Sequence, residues 1–460
     1  MKMKQINGKM LLPLLDTYGD LETINCFSEE AMFNGWLEAE VALAKAQGEE
    51  NIIPKEAAKK IEASAKYELL DLNGFWEETK NVGYPIVPLV KRLSAVSGEY
   101  GGYVHWGATT QDIMDTGLVI QLRNAIKRLE QLLIECGSAC ATLIEKYAST
   151  PQAGRTHGQQ AVPITFGMKV SVWLSELRRH VERLQEVKSR LLVGQLFGAA
   201  GTLATLGTKS TKVRTRFCEL LELQEPEGPW HVARDTVVEF ANLQSMISGT
   251  LQKVAKEIAD LARTEINEVQ EMKGQLRGAS STMPQKENPI SSETIIGLTT
   301  INMSLVSGFY QTMTPVHERA TGEWQAEWDM IPLVSVGTAG ALSLMGETLK
   351  NLSVNEEVMK QNLEMDNGLI MAESVMMKLT EKMGKQKAHE KMYEICRVAD
   401  KENQKLKNVL ENDATIIQTL KVDDVKSSIN PMDYLGEAAP LSNRAILNWE
   451  ETLNNYGIKK

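Results

Sequence analysis

The sequence predicts an all-α chain in three parts arranged around a long central helical bundle. Three observations carry that reading: apolar stripes of unusual length, a composition suited to helix packing, and a near absence of strand signals. The first stripe runs Leu118, Leu122, Ala125, Leu129, Leu132, Cys136, Ala139, Leu143, Tyr147. Its spacing alternates four and three, so one face stays apolar for about eight turns. A second stripe is Phe166, Val170, Trp173, Leu177, Val181, Leu184; a third is Phe240, Leu243, Ile247, Leu251, Val254, Ile258, Leu261. Each segment of roughly 30 residues makes about 45 Å of helix, which implies an extended bundle, one shared between subunits. Thr294–Val316 and Met330–Gly346 add two helices with almost no charged face, as central members have. Aromatic residues make up only 6% while methionines number 21, a balance that favours helix–helix packing.

A length of 460 residues exceeds one ordinary core and suggests roughly three domains at about 150 residues each. Residues 1–112 read as an N-terminal domain of shorter helices, with Ser28 as an N-cap followed by acidic residues. Residues 113–365 form the long-helix domain, and 366–460 a C-terminal helical domain. The net charge of −10 argues against a phosphate-backbone partner, since nucleic-acid binders carry a basic footprint. Five cysteines without a CxxC pair fit a reducing compartment. The opening MKMKQINGKMLLPLL has only a short apolar run broken by Pro13 and is not read as a signal peptide. Thr294–Val316 is long enough to span a membrane, but its Thr, Ser, Asn and Gln residues favour burial inside a protein bundle. The expectation is a cytoplasmic protein with neither membrane nor nucleic-acid partners.

Four polar stretches break the helical pattern. HWGATTQDIMDTG (105–117) opens the first long helix, and Thr109, Thr110 and Gln111 read either as plain caps or as an anion site at a helix N-terminus. AGRTHGQQAVPITFG (153–167) precedes the second and holds His157, which taken alone reads as structural. The stretch from about 274 to 289 contains Gly274, Gly278, Pro284 and Pro289, so it is a loop rather than a helix. A loop this long inside a bundle usually has a function or is disordered. Within it, extended backbone would point Lys286 and Asn288 to one side, a cation and an amide suited to a carboxylate. Glu293 follows at the next helix start. TPVHERATGEWQAEWDMIP (314–332) carries His317, Arg319, Trp324 and Trp328, and alone reads as an amphipathic helix. No histidine has a glutamate three residues before it, and neither HExxH nor GxxxxGK[ST] occurs, so no metal site is expected. Carboxylate-binding groups, one serine pair and one histidine together suit proton chemistry on a small di- or tricarboxylate.

SSTMPQKENP (280–289) closely resembles the GSSxMPxKxNP signature of the fumarase/aspartase superfamily. The resemblance covers nearly the whole chain, because HWGATTQDIMDTG, LFGAAGTLATLG (196–207), PWHVARD, HERATGEWQAEWDMIP and DYLGEAAPLSNRA follow in family order. They look most like the 3-carboxy-cis,cis-muconate cycloisomerase branch, with adenylosuccinate lyase as its neighbour. The resemblance implies a homotetramer with a twenty-helix core, active sites assembled from three subunits, and no cofactor. It implies that Ser280 is the general base, His157 the general acid and Glu293 its orienting partner. Thr109, Thr110, Gln111, Thr156, Lys286 and Asn288 would hold the carboxylates, and His105 and Arg319 fall among the substrate-binding positions.

Departures from the family pattern bear on the activity. Proteobacterial cycloisomerases resembling this chain carry tryptophan where His157 stands, whereas a histidine suits elimination, in which a departing heteroatom needs a proton. Adenylosuccinate lyases carry a histidine in the segment matching TKNVGYPIVPLV and an arginine where Trp328 stands, and both are missing here. Ala233 replaces a usual glutamine, and Gln285 and Glu287 flank Lys286 where relatives have basic residues. These changes point to a smaller, less anionic substrate, such as one bearing an ammonium. The resulting expectation is a lyase that cleaves a C–N or C–S bond of a succinylated molecule, such as an N-succinyl amino acid or S-(2-succino)cysteine, and releases fumarate. Cycloisomerisation of a carboxymuconate is the first alternative and adenylosuccinate cleavage the second. A catalytically retired homologue is a third reading, disfavoured by the intact polar set.

Overall fold

A computed structural model describes residues 12–274, 277–319 and 321–458. The first eleven residues of the supposed non-signal N-terminus, and two residues of the expected loop, lie outside this set. Helix makes up 70% of the chain and strand 5%. The predicted stripes become α1 (Thr110–Tyr147), α2 (Phe166–Leu191) and α3 (Asp235–Leu261). The two low-charge segments become α4 (Ile290–Gln311) and α5 (Glu323–Lys350). In the first stripe, Leu122, Ala125, Leu129 and Cys136 are fully buried, which is what a persistent apolar face requires.

One expectation needs correcting. Between α1 and α2 the chain forms an antiparallel hairpin of β1 (Pro151–Thr156) and β2 (Gln159–Thr165). The sequence hides it because β1 is buried over its first four residues and the pairing slips between Ala153 and Arg155. Neither feature leaves the two-residue alternation that marks a strand.

The polar residues of α4 are accommodated in two ways: Asn302, 1% exposed, donates to Ser248 and Thr338 on neighbouring helices, and others bond within α4. Thr299, Thr300 and Ser304 each donate a hydroxyl to a carbonyl four residues back, at 2.6, 2.7 and 2.8 Å. Their polarity is therefore satisfied within the helix. One face of α4 remains open in the single chain, with Ile301 43% and Tyr310 50% exposed. Helix α5 is apolar and long enough to cross a membrane by length and composition, but 67% of its most apolar window is buried, as in a core helix.

The chain divides into two compact units. The first comprises 1–133, 180–252 and 294–343; the second comprises 134–179, 253–293 and 344–460. In the first, the helix Glu29–Glu49 starts at Ser28, whose hydroxyl accepts from Ala31 N at 3.1 Å. This helix approaches α1 closely at Gly35 and Gly117. A Cβ on Gly117 would sit 2.6 Å from the Trp36 ring, so only glycine lets the backbones meet. In the second unit, the C-terminal helices enclose Leu363, Val375, Leu379, Ile395 and Leu410. Trp449 is fully buried against Gly137, where a Cβ would come within 2.3 Å of its ring.

Candidate active site

In the second unit, His157 stands at the tip of the β1–β2 hairpin. Thr156 pairs with Gln159, so His157 and Gly158 form a two-residue turn with φ of 54° and 76°. Two positive φ values in sequence are those of a type I′ turn, whose twist matches that of the strands. Thr156 and His157 are exposed at this tip. The root of the hairpin is held by Glu268, a carboxylate with no solvent exposure. Glu268 accepts from Gln152 Nε2 at 2.6 Å, Arg155 Nη1 at 3.1 Å and Nη2 at 2.7 Å, and Asn362 Nδ2 at 2.8 Å.

Three residues later, Glu271 accepts from Ser291 N at 3.0 Å, Ser292 N at 2.8 Å and Ser292 Oγ at 2.6 Å. A carboxylate there caps the free N–H groups at the start of α4 and opposes the positive end of its dipole. The segment Glu268–Glu271 therefore binds both the hairpin and the helix whose first turn carries the exposed Glu293. The sequence reading missed both glutamates. Their visible signal is a pair of carboxylates three apart in a non-helical segment just ahead of a glycine-bounded loop.

That loop is closed at its neck by Gly278 O, which accepts from both the backbone N and the side-chain Nδ2 of Asn288, each at 3.0 Å. Gly278 has φ +68°, and a Cβ there would lie 2.6 Å from Asn288 O, so glycine is required twice over. Beyond the neck, Ser280 Oγ accepts from the backbone N–H groups of Thr282 at 3.3 Å and Met283 at 3.1 Å. Two amide dipoles thus converge on the hydroxyl oxygen and stabilise negative charge on it. Lys286 is exposed, while the Asn288 amide nitrogen is committed to the neck rather than aligned beside it. His157 and Glu293 are both exposed, and among the described residues no hydrogen bond joins them within the chain.

In the first unit, the polar segment before α1 is organised by Asp112, another fully buried carboxylate. It accepts from Thr109 N at 3.0 Å, Phe197 N at 3.1 Å, Gly198 N at 2.9 Å and His231 Nε2 at 2.8 Å. Arg319 reaches the same corner, donating to Thr109 Oγ1 at 2.7 Å and Ala199 O at 2.6 Å. Thr109 and Arg319 are therefore brought together, with Thr110 half-buried beside them. Gln111 is buried, and its amide nitrogen donates to His231 O at 2.8 Å. His105, in the left-handed region at φ 61°, places Nδ1 2.6 Å from Glu40 Oε1. Burial opposes its charge, but Glu40 and the nearby Asp112 prevail and raise its pKa.

One turn further along α1, Asp115 forms a forked pair with Arg234 at 2.9 and 3.1 Å, and Arg234 also binds Glu327 at 3.1 Å through Nε. All three side chains are essentially without solvent exposure. Burial pushes Glu327 above the usual carboxylate range although Arg234 opposes the shift. Burial also works against charge on Arg234, yet Asp115 and Glu327 hold its pKa raised. No local pattern announces these partners, which lie 93 to 119 residues apart. Among the described residues, no three His, Cys, Asp or Glu side chains group as a metal site.

Residues 22–301 match the family described as Lyase, and residues 368–445 match the one described as Adenylosuccinate lyase C-terminus. The chain is 40% identical over 424 residues to a 3-carboxy-cis,cis-muconate cycloisomerase of Pseudomonas aeruginosa, covering 91% of this chain and 92% of that one. It is 36% identical over 443 residues to an N-acetyl-S-(2-succino)cysteine lyase of Enterococcus italicus, covering 96% and 97%. The crystal structure of the 3-carboxy-cis,cis-muconate lactonizing enzyme from Pseudomonas putida superposes with a TM-score of 0.90 at 35% identity, covering 95% and 99%. The chain belongs to the fumarase/aspartase superfamily and is a lyase.

Proposed function

We propose that this lyase performs β-elimination on a succinylated small molecule, breaking a C–N or C–S bond and releasing fumarate. The observation that carries the reading is the pair of backbone N–H groups donating to Ser280 Oγ. A serine is a weak base until its alkoxide is stabilised, and fixed amide dipoles do that at no cost in reorganisation. Ser280 then removes the proton from the carbon beside one carboxylate, giving an aci-carboxylate dianion. The electron pair returns to form the double bond of fumarate as the heteroatom leaves and takes a proton from His157. Glu293 orients that histidine. Thr109, Thr110, Gln111, Thr156, Lys286 and Asn288, with His105 and Arg319, hold the substrate carboxylates. The steps are acid–base throughout and call for no cofactor.

Support for a succinylated substrate comes from His157 as proton donor and from the similarity to an N-acetyl-S-(2-succino)cysteine lyase. The assembly proposed is a homotetramer with sites shared among three subunits, favoured by the open, uncharged face of α4 that carries Ile301 and Tyr310. A cytoplasmic location is favoured by five cysteines, none of them in a disulfide.

The reaction run backwards tests the proposal. Purified protein is mixed with fumarate and a panel of amines, amino acids and thiols, and loss of fumarate absorbance is followed in the ultraviolet. Consumption with a nucleophile, abolished in Ser280→Ala and reduced about 10²–10⁴-fold in His157→Ala, is the expected result. Lactone formation from 3-carboxymuconate with no fumarate consumption would instead establish the cycloisomerase reading, which the 40% identity to the Pseudomonas aeruginosa enzyme favours.

A further inference from the structure

A cavity of about 170 Å³ opens within the first unit. Its walls are aromatic and aliphatic: Trp36, Trp76, Trp324 and Trp328 line it, with Met114 and Leu118 from α1. Trp324 is held on three sides. Its Nε1 donates to Asp115 Oδ1 at 3.1 Å, its ring stacks on Tyr84 with centroids 6.0 Å apart, and it meets Trp328 edge-on at 5.2 Å. Asp115 is itself fixed by Arg234. Trp36 and Trp324 are 3% and 5% exposed, while Trp76 and Trp328 are 43% and 36% exposed and face solvent. Such a wall is already ordered, so a ligand entering it loses little affinity to ordering side chains.

The cavity adjoins the segment that gathers Thr109 and Arg319. Thr110, Met114 and Leu118 recur every four residues and so share one face of α1, with Met114 about 6 Å along the axis from Thr110. Arg319, bonded to Thr109, lies five residues before Trp324. A molecule with one carboxylate at the start of α1 therefore has this cavity within four or so bonds, about 6 Å.

The lining also limits what fits. Asp115 is the only ionisable side chain among the lining residues, and its carboxylate is taken up by Arg234 and Trp324. A second carboxylate or a phosphate would be desolvated there without a partner. Aromatic faces attract cations, but the carboxylate that would add to that attraction is already neutralised.

We propose that this cavity is the leaving-group subsite and takes an uncharged aromatic or bulky apolar group carried by the departing nitrogen or sulfur. The proposal rests on the succinyl-lyase reading and narrows its substrate class. Its test compares fumarate consumption with phenylmethanethiol and phenylmethanamine against consumption with 2-mercaptoethanol and ethanolamine, using the full chain. The expected result is a kcat/KM at least tenfold higher for the aryl nucleophiles, with that ratio falling at least tenfold in Trp328→Ala, mainly through KM. Met114→Ala, on another wall, should lower the ratio in the same direction. Equal or higher kcat/KM for the small nucleophiles overturns the proposal while leaving the lyase reading intact. If no nucleophile is consumed, the lyase reading fails separately, and binding decides the cavity. Tryptophan fluorescence titrated with (benzylthio)succinate and (methylthio)succinate should then show at least tenfold tighter binding of the aryl compound, lost in Trp328→Ala; equal affinities overturn it.

Discussion

The half-buried Arg155 and the fully buried Glu268 form a forked ion pair, with Nη2 2.7 Å from Oε1 and Nη1 3.1 Å from Oε2. Arg155 sits two residues before His157, and Glu268 sits three residues before the carboxylate that caps α4. The pair therefore sets the hairpin tip relative to the stem of the serine loop. Forked geometry fixes direction as well as distance, which a single hydrogen bond does not.

Glu268→Gln should lower kcat at least a hundredfold with a smaller change in KM. It should also cost about 3–5 kcal/mol of stability, because it leaves the half-buried Arg155 guanidinium unpaired. The double variant Arg155→Gln, Glu268→Gln should recover much of the stability, since it removes both charges, but not the rate. Thermal unfolding and steady-state kinetics on the three proteins check this; a double variant with restored kcat would show that the pair serves folding alone.

Gly278→Ala should affect turnover far more than stability. Its φ of +68° and the 2.6 Å approach of Asn288 O to a Cβ mean that the loop neck must open. Strain of this kind costs about 1–3 kcal/mol, and here it falls on the neck of a loop whose residues 281–287 are exposed. The expected outcome is a small shift in Tm and a loss of activity of at least a hundredfold. An active variant with unchanged Tm would show that the neck does not position Ser280.

His105 gives stability a pH dependence. Burial disfavours its charged form, but Glu40 overrides that and raises the pKa above the ordinary 6.5. A raised folded-state value means that the folded chain holds this proton more tightly than the unfolded one. The contribution is complete below about pH 6.5 and is lost as pH rises through the folded value. An NMR titration of the imidazole should give a midpoint above 6.5, and His105→Gln should flatten the fall of stability above that pH. A midpoint at or below 6.5 would contradict the assignment.

The exposed side of α4, with Ile301 and Tyr310, should be an interface between copies of this chain. Sedimentation of the purified protein should show a particle of four chains, and Ile301→Glu should dissociate it by placing a charge in an apolar contact. A monomer at micromolar concentration would overturn the tetramer.

The helical architecture was legible because helix periodicity is local. The spacing Leu122, Ala125, Leu129, Leu132 states both the element and its buried face without reference to any other part of the chain. The serine loop was legible for a related reason, since glycine and proline change backbone conformation at their own positions. The hairpin around His157 was less so. Its turn signal, His-Gly, is a weaker form of Asn-Gly, and β1 is too buried at the root to alternate.

What the sequence determined by itself was therefore the all-α class, the long bundle helices, the loop carrying Ser280 and the family to which these motifs point. Tertiary structure alone decided which groups meet. Asp112 finds His231 across 119 residues, Arg234 finds Glu327 across 93, and Glu268 finds Arg155 across 113. A buried charge requires a partner, but any opposite charge of the right reach can serve. Spacing along a chain therefore predicts that such residues will be paired, and only the folded path selects the partner.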